Sequence, residues 1–400
     1  MSALFKQHLI DPELCIRCHT CEDACTIGAI THDDVNVVVD AQKCNGCLDC
    51  IAPCPTGSID NWRVVDQAYT LEEQLGWMEL PEQQAFSADA EQESSISEEE
   101  AGDEAIAALL AEAHSGAGGR VRAPESAAKP MVNLYSRKKP AKAVVQGNYR
   151  LTAEGEDTDI RHIILDLGGT YFPRLEGQSV GIIPPGVDAD GQPHVPRLYS
   201  LSSPRDGERP GVNNLSLTVK REEQGLCSNY LCDLQRGEEV QVVGPFGSTF
   251  LMPEDPQARL VMICTGTGSA PFRAFTMHRQ RTQPQAQDSM LLFFGARSPD
   301  SLPYFGPLKK VPDSFLHKHF AFSRMSDQPK AYVQDKLRES ADLVANAMSD
   351  PHTYLYVCGL KVMEVGVEQA LDDIARQHHL EWDTVRARMR EEGRYHVETY

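Results

Sequence analysis

Eight cysteines between residues 15 and 54 carry the most specific chemistry in this 400-residue sequence. They form two copies of Cys-x2-Cys-x2-Cys-x3-Cys: Cys15, Cys18, Cys21 and Cys25, then Cys44, Cys47, Cys50 and Cys54, offset by 29 residues. The repeat extends beyond the sulfurs, with Asp11 mapping on Asp40, Gly28 on Gly57 and Ile30 on Ile59. A unit this small cannot hold itself together by apolar burial, so an inorganic core is expected. Two-residue gaps in a tight loop present three thiolates to one [4Fe–4S] cube. Structural zinc is the competing chemistry, but it favours paired Cys-x2-Cys arms with a longer spacer. Disulfides are not expected, because no charged-then-apolar leader precedes the repeat; the expected compartment is the reducing cytoplasm.

A second set of residues suits a bound dinucleotide. Arg197 and Tyr199 project from one face of a short strand, where a guanidinium can neutralise a pyrophosphate and a phenol can stack on a ring. Ser200 follows with a hydroxyl. Taken alone, Arg197-Leu198-Tyr199-Ser200 is an ordinary strand. Gly225-Leu226-Cys227-Ser228 precedes an expected helix and offers backbone N–H groups to an anion. Thr265-Gly266-Thr267-Gly268-Ser269-Ala270-Pro271 is a glycine-rich turn between an apolar run and a helix, and Pro271 suits a first helical turn. Ser323-Arg324 ends the expected third strand of a doubly wound sheet, where an arginine favours the 2′-phosphate of NADP over the bare ribose of NAD.

The cysteine repeat resembles the bacterial two-cluster ferredoxins. The resemblance implies a crossed ligand set: Cys15, Cys18, Cys21 and Cys54 on one cluster, and Cys44, Cys47, Cys50 and Cys25 on the other. Pro55 follows Cys54 as in that family, but Thr26 stands after Cys25 where proline is usual. From about residue 140 the chain resembles the plant-type ferredoxin–NADP⁺ reductases. Matching stretches include Gly177–Val180, Arg197–Ser200, Leu217–Arg221, Cys227–Leu234, Gly244-Pro245, Thr265–Arg273, Cys358–Lys361 and Val397–Tyr400.

That resemblance implies roles. FAD would be held by Arg197, Leu198, Tyr199, Ser200, Thr218, Val219, Lys220, Gly225, Leu226, Cys227 and Ser228. NADPH would meet Thr267, Ala296, Arg297, Ser323, Arg324, Lys330, Tyr332, Gln334, Gly359 and Leu360. Tyr400 would cover one flavin face and move aside for nicotinamide, with Ser200, Cys358 and Glu398 around the hydride path. Without its neighbours Cys358 reads as a small core residue, as Cys232 and Cys264 do.

These residues need elements to position them. The expected fold is an α+β ferredoxin module (1–80), an acidic flexible linker (81–130), an antiparallel β-barrel FAD domain (131–255) and an α/β doubly wound NADP domain (256–400). Expected barrel strands are Ile160–Leu167, Leu198–Ser202, Leu215–Lys220 and Glu239–Val243. Leu260–Cys264, Met290–Phe294, His319–Ser323 and Tyr354–Cys358 read as buried parallel strands, with helices Pro271–Arg281 and Lys361–Gln377. In the linker, Glu104–Ala113 could form a helix and dock, but solvated tether is the preferred reading.

Charge narrows the function. The net charge of −20 argues against nucleic acid, although ten acids and no Lys or Arg lie between Pro81 and Gly119. The longest apolar runs are too short to span a membrane. A hydride donor, a flavin and one-electron clusters in one chain suggest the order NADPH, FAD, clusters, acceptor. This arrangement resembles the reductase components of benzoyl-CoA 2,3-epoxidase systems, which implies aromatic degradation and a separate di-iron oxygenase as acceptor. The alternatives are a general ferredoxin–NADP⁺ oxidoreductase with its ferredoxin fused, and an electron-carrying module with a vestigial flavin domain. A homo-oligomer is compatible with the sequence.

Overall fold

The computed structural model describes residues 5–44, 50–51, 53–54, 56, 58–59, 61–65, 67–81, 104–113, 121–188 and 191–400. The chain divides near Ser94 into two units. In the first, the elements are β1 (Phe5–Leu9), α1 (Thr20–Ala24), β2 (Ile30–His32), β3 (Val37–Val39), β4 (Asn61–Val65) and α2 (Leu71–Leu75). β1 pairs antiparallel with β4, and β2 with β3. The second pair turns at Asp33, whose carboxylate accepts from the amides of Val35 and Asn36 at 2.7 and 2.6 Å. α2 starts at a capping box between Thr70 and Glu73. Its buried Gln74 bonds the Val39 amide and carbonyl at 3.2 and 3.0 Å, fastening the helix to β3.

The second unit begins with α3 (Glu104–Ala113), within the stretch read as a flexible tether. Ile106 is buried against Ile183, Val243 and Phe246, with Leu110 alongside. Full burial of one such side chain contributes about 1.5–3 kcal/mol, a tertiary contribution that composition alone does not show. The rest of the acidic stretch, 82–103 and 114–120, lies outside the described residues.

The sheet that follows contains β5 (Ala141–Arg150), β6 (Ile160–Asp166), β7 (Ser179–Ile183), β8 (Arg197–Ser200) and β9 (Asn214–Lys220). After α4 (Leu226–Asp233) it adds β10 (Glu239–Phe246). The order is β8-β7-β10-β5-β6-β9, every pair antiparallel. Its two edges meet at a bridge between Leu201 and Leu217, which closes the barrel. β5 shows the period-two logic: Ala141, Ala143 and Val145 point into the barrel core while Lys142 and Val144 face out.

Next come β11 (Arg259–Thr265), α5 (Ser269–Thr282), β12 (Met290–Ala296), α6 (Phe305–Lys310), β13 (His317–Phe322), α7 (Val333–Glu339) and α8 (Ala341–Ser349). β14 (Thr353–Gly359), α9 (Lys361–Gln377), α10 (Trp382–Glu391) and β15 (Tyr395–Thr399) complete the chain. The strands form a wholly parallel sheet ordered β13-β12-β11-β14-β15. Alternate residues of the central strands feed two cores: Val261, Ile263 and Phe293 on one face, Met262, Cys264 and Phe294 on the other. The strand order reverses between β11 and β14, so their carboxyl ends form the crevice where such sheets take ligands.

Helix α5 joins the barrel to the parallel sheet through three basic side chains. Arg273 makes a two-pronged pair with Glu208 at 2.7 and 2.9 Å. His278 lies 3.0 Å from Glu176, and Arg281 pairs with Asp206 and the Gly207 and Glu208 carbonyls. Glu176 is 1% exposed and also accepts from the Arg205 guanidinium at 2.8 and 3.0 Å. Burial pushes its carboxyl up, but His278 and Arg205 outweigh that and hold it at about 2. A depressed acid contributes stability above its unfolded pKa and loses it as pH falls through the folded one. Glu176→Gln, which leaves the Arg205 guanidinium short of its buried counter-charge, is expected to cost about 3 kcal/mol at pH 7. The gap between wild type and variant in circular-dichroism melts should narrow as pH drops from 4.5 towards 2; a constant gap would show that the ion pair is not its source.

Candidate functional site

The cysteine repeat is visible in the backbone as well as in the sequence. The Cys15 amide donates to the Asp11 carbonyl at 3.0 Å and Cys44 to Asp40 at 2.9 Å; Cys25 donates to Glu22 and Cys54 to Ile51, both at 3.1 Å. Each partner in the second half is the first shifted by one repeat. Ile10, Ile30, Val37, Val39 and Ile59 form the small core with Cys21 and Cys50, and Cys15, Cys25, Cys44 and Cys54 pack against it. Cys47 lies outside the described residues.

A tetrahedral zinc with Zn–S bonds of about 2.3 Å draws its sulfurs to roughly 3.8 Å from one another. Among the described residues no three cysteine sulfurs gather within 4.8 Å of one another. The Ala29 amide donates to the Cys25 sulfur at 3.2 Å, and the Ser58 hydroxyl lies 3.5 Å from the Cys54 sulfur. Burial would raise the Cys54 thiol, but Ser58 and the Ile59 and Thr56 amides bring it down to about 6, which favours a ligating thiolate.

On the barrel, β8 pairs with β7 so that Ser200 lies opposite Ser179 and Tyr199 opposite Val180. Arg197 is exposed, and among the described residues no carboxylate pairs with it. Its charge reaches Cys227, in the first turn of α4, and the Cys227 thiol in turn interacts with Tyr199. Gly225 caps α4 with no side-chain bond and no acid in the first turn. A Cβ on Gly225 would sit 2.4 Å from Ser228 Oγ, which donates to the Gly225 carbonyl at 3.1 Å. Arg197, Tyr199, Gly225, Cys227 and Ser228 thus meet, and an unpaired guanidinium beside an uncapped helix start fits a pyrophosphate. Leu198 turns towards the α3 cluster and Leu226 is exposed.

The β9 residues behave differently. The Thr218 hydroxyl is buried and bonds the Tyr304 hydroxyl at 2.7 Å. Val219 is in the barrel core, and the Lys220 ammonium pairs with Glu222 at 2.7 Å. Their side chains do not join the Arg197 group. Tyr304 also bonds His162 Nδ1 at 2.9 Å and lies under the Arg273 guanidinium, 4.9 Å from the ring centre. His162, Thr218, Tyr304, Glu208 and Arg273 form one buried network between barrel and sheet. Sequence reading missed it, because its members are up to 142 residues apart.

At the crevice, β11 and β14 set Cys264 beside Cys358, and β14 and β15 set Cys358 beside Glu398. Burial, then the Glu398 charge, pushes the Cys358 thiol well above its ordinary value, so its sulfur keeps its proton. The Tyr400 hydroxyl and Thr267 Oγ1 are 2.5 Å apart, and the Tyr400 amide donates to the Gly359 carbonyl at 3.0 Å. Tyr400 nonetheless remains 54% exposed. A Cβ on Gly268 would meet the Cys358 carbonyl oxygen at 2.1 Å, and one on Gly359 would meet Thr265 Oγ1 at 2.8 Å. Thr265 Oγ1 is buried and has no hydrogen-bond partner. An orphaned hydroxyl at the carboxyl end of the central strand fits a polar group of a bound dinucleotide. Thr265 was legible as part of the glycine-rich turn, but only its missing partner marks it out.

The far end of the crevice collects the remaining nucleotide candidates. The Ser323 amide donates to Ala296 at 3.1 Å, Arg324 to Arg297 at 2.8 Å, and Ala331 to Phe322 at 3.0 Å. These bonds bring Ser323-Arg324, Ala296-Arg297 and the Lys330–Tyr332 stretch together. Tyr332 is half exposed at the start of α7, and Gln334 packs against Gly366.

Residues 262–369 match the family model described as an oxidoreductase NAD-binding domain, and residues 14–58 the one described as a 4Fe-4S dicluster domain. The chain is 41% identical over 288 residues to the cyanelle ferredoxin–NADP reductase of Cyanophora paradoxa, covering 67% of this chain and 79% of that protein. It is 36% identical over 288 residues to the ferredoxin–NADP reductase of Spirulina sp., covering 67% and 98% respectively. Among solved structures it resembles the ferredoxin–NADP⁺ reductase from Plasmodium falciparum with 2′P-AMP, with a TM-score of 0.54, 25% identity, and coverage of 68% of this chain and all of that one. No helix of the described residues is long and apolar enough to cross a membrane.

Gly268→Ala is the smallest change that fills the crevice. The clash is backbone on backbone, so the turn must shift, at a cost of roughly 1–3 kcal/mol. The expected outcome is a raised KM for NADPH with FAD content unchanged; an unaltered KM would show that the turn has room to spare.

Proposed function

This chain belongs to the ferredoxin–NADP reductase family, and on that premise we propose that it is the NADPH-dependent reductase of a two-component oxygenase. The acceptor in this reading is a separate di-iron benzoyl-CoA 2,3-epoxidase of aerobic aromatic degradation. The chain is an oxidoreductase with FAD and NADP binding domains and a 4Fe-4S dicluster domain; that it carries two clusters and feeds an oxygenase is the proposal. The observation behind it is the joining of a cysteine-rich module, matched over 14–58, to a reductase within one chain. When bound, FAD takes a hydride from NADPH and gives up electrons one at a time, which iron–sulfur clusters can relay.

The side chains have defined tasks. Arg197 and the uncapped start of α4 would neutralise the flavin pyrophosphate, with Tyr199 beside them for stacking. Tyr400 would cover the other flavin face. Its ring is held by one hydroxyl contact, to Thr267, while its backbone stays bonded to Gly359. The ring can therefore swing aside without unzipping β15. Cys358, kept as a thiol by burial, would present an uncharged surface to nicotinamide. Glu398, set opposite it in the ladder, would orient the carboxamide end; Ser200 would approach from β8. These groups align reacting atoms and exclude water rather than react themselves.

A general ferredoxin–NADP⁺ oxidoreductase is the second reading, favoured by the names of the two relatives above, both ferredoxin–NADP reductases. It requires no dedicated oxygenase and predicts rapid NADPH-linked reduction of unrelated ferredoxins.

Two measurements address these readings. Glu398→Ala is expected to slow single-turnover flavin reduction by NADPH about tenfold to a hundredfold while FAD stays bound; an unchanged rate would remove Glu398 from the hydride path. For the acceptor, the anaerobically purified holo-protein is aerated with fractionated extract of the source organism grown on benzoate. NADPH oxidation and oxygen uptake that require both one fraction and benzoyl-CoA would support the oxygenase reading. Oxidation indifferent to benzoyl-CoA but sustained by ordinary ferredoxins would replace it with the general reductase.

A further inference from the structure

Two arginines at the outer end of the crevice share one acid that comes from the barrel. Arg297, just after β12, and Arg324, just after β13, both direct Nη1 at the same oxygen of Asp157, at 3.5 and 3.6 Å. Asp157 lies between β5 and β6. Its loop touches the sheet domain independently of the arginines: the Ala153 amide donates to the Asp300 carbonyl at 2.9 Å, and the Ser298 hydroxyl donates to Glu156 at 3.1 Å. The arginines are also fixed without the acid, because the Arg324 amide bonds the Arg297 carbonyl at 2.8 Å. Among the described residues neither guanidinium has another carboxylate partner.

We propose that Asp157 is an internal substitute for the coenzyme's 2′-phosphate, occupying the Arg297–Arg324 pair until NADPH displaces it and thereby limiting the preference for NADPH over NADH. The inference rests on the reading that Arg324 receives the 2′-phosphate. Two guanidiniums side by side suit a phosphate dianion. A single carboxylate neutralises half of their charge, and at 76% exposure it is held weakly enough to exchange with solvent ions. The anchored loop keeps the displaced carboxylate close, so its repulsion persists after the phosphate has arrived. A bare ribose feels almost none of this. The acid therefore acts on one phosphate and not on the rest of the coenzyme.

The consequence is an unusual direction of effect: removing a charged residue from a binding site should tighten binding. The probes are 2′,5′-ADP and 5′-AMP, which differ only in the 2′-phosphate, titrated against FAD-loaded full-length protein at low ionic strength. Asp157→Asn, nearly isosteric and on an exposed loop, is expected to tighten 2′,5′-ADP about three- to tenfold and to leave 5′-AMP unchanged. The gain should fade as salt rises. Unchanged or weaker binding of 2′,5′-ADP, or equal tightening of both probes, would overturn the proposal; weaker binding would make Asp157 an organiser of the arginines instead. Arg324→Ala separates this outcome from failure of the premise. If it weakens 2′,5′-ADP selectively while Asp157→Asn does nothing, only the role of Asp157 falls. If it affects both probes equally, the 2′-phosphate site itself is elsewhere.

Discussion

The reductase unit depends on one helix that serves two masters. The first turn of α5 follows the glycine-rich bend at the end of β11, so its position defines the dinucleotide crevice. Its flank carries Arg273, His278 and Arg281, which grip Glu208, Glu176 and Asp206 on the barrel loops. A carboxylate as deeply buried as Glu176 is tolerated only when paired. The pairing therefore fixes where the barrel stands with respect to the parallel sheet. The residues proposed to hold flavin lie on β8 and α4, and those proposed to meet nicotinamide lie on β14 and β15. The clasp on α5 and the Tyr304 network relate the two sets, so a hydride path short enough to work depends on them.

Space at the crevice is governed by the absence of side chains. Gly268 and Gly359 let the turn after β11 sit directly on the end of β14, and Gly295 leaves room for Val333 and Thr265. At Gly268 the nearest atom is backbone, which cannot rotate away. This is why the glycine-rich turn is more than punctuation: it brings Thr265, Thr267, Cys358 and Tyr400 within one small region. The cysteine module achieves its order by another route. Its apolar core is a handful of isoleucines and valines, and the Asp11–Cys15 and Asp40–Cys44 backbone bonds give both repeats the same turn at the first cysteine. An inorganic core supplies what so small a hydrophobic cluster cannot.

Sequence revealed most where spacing or apolar runs carry the information. The cysteine repeat, the helix Lys361–Gln377 and the buried parallel strands were legible to within a few residues. β5 was not: Ala-Lys-Ala-Val-Val-Gln-Gly-Asn-Tyr-Arg alternates by burial, but its inward residues are partly alanines, too small to show a hydrophobic period. Glu104–Ala113 was legible as a helix but read as tether, because the partner for Ile106 lies on β7 and β10. Thr218 was assigned by its place in a motif, whereas its hydroxyl faces Tyr304. Asp157 carried no sequence signal, since an acid in a polar loop is ordinary until two arginines from distant strands are seen to share it.

Joining carrier and reductase in one chain changes what each must do. Separate proteins exchange electrons at a rate that rises with their concentrations, whereas a linked pair does so at an effective concentration set by the connection alone. Under the proposed function, selection between chains then falls on the step out of the cysteine module. The reductase half needs no surface for choosing an acceptor, and its retained specificity is for the coenzyme. The residues grouped at its crevice agree with that division: they suit phosphates, adenine and nicotinamide, and Asp157, contributed by the barrel, bears on coenzyme choice. Evidence for an oxygenase partner should therefore be sought on the cysteine module, where a change of acceptor would leave the reductase chemistry untouched.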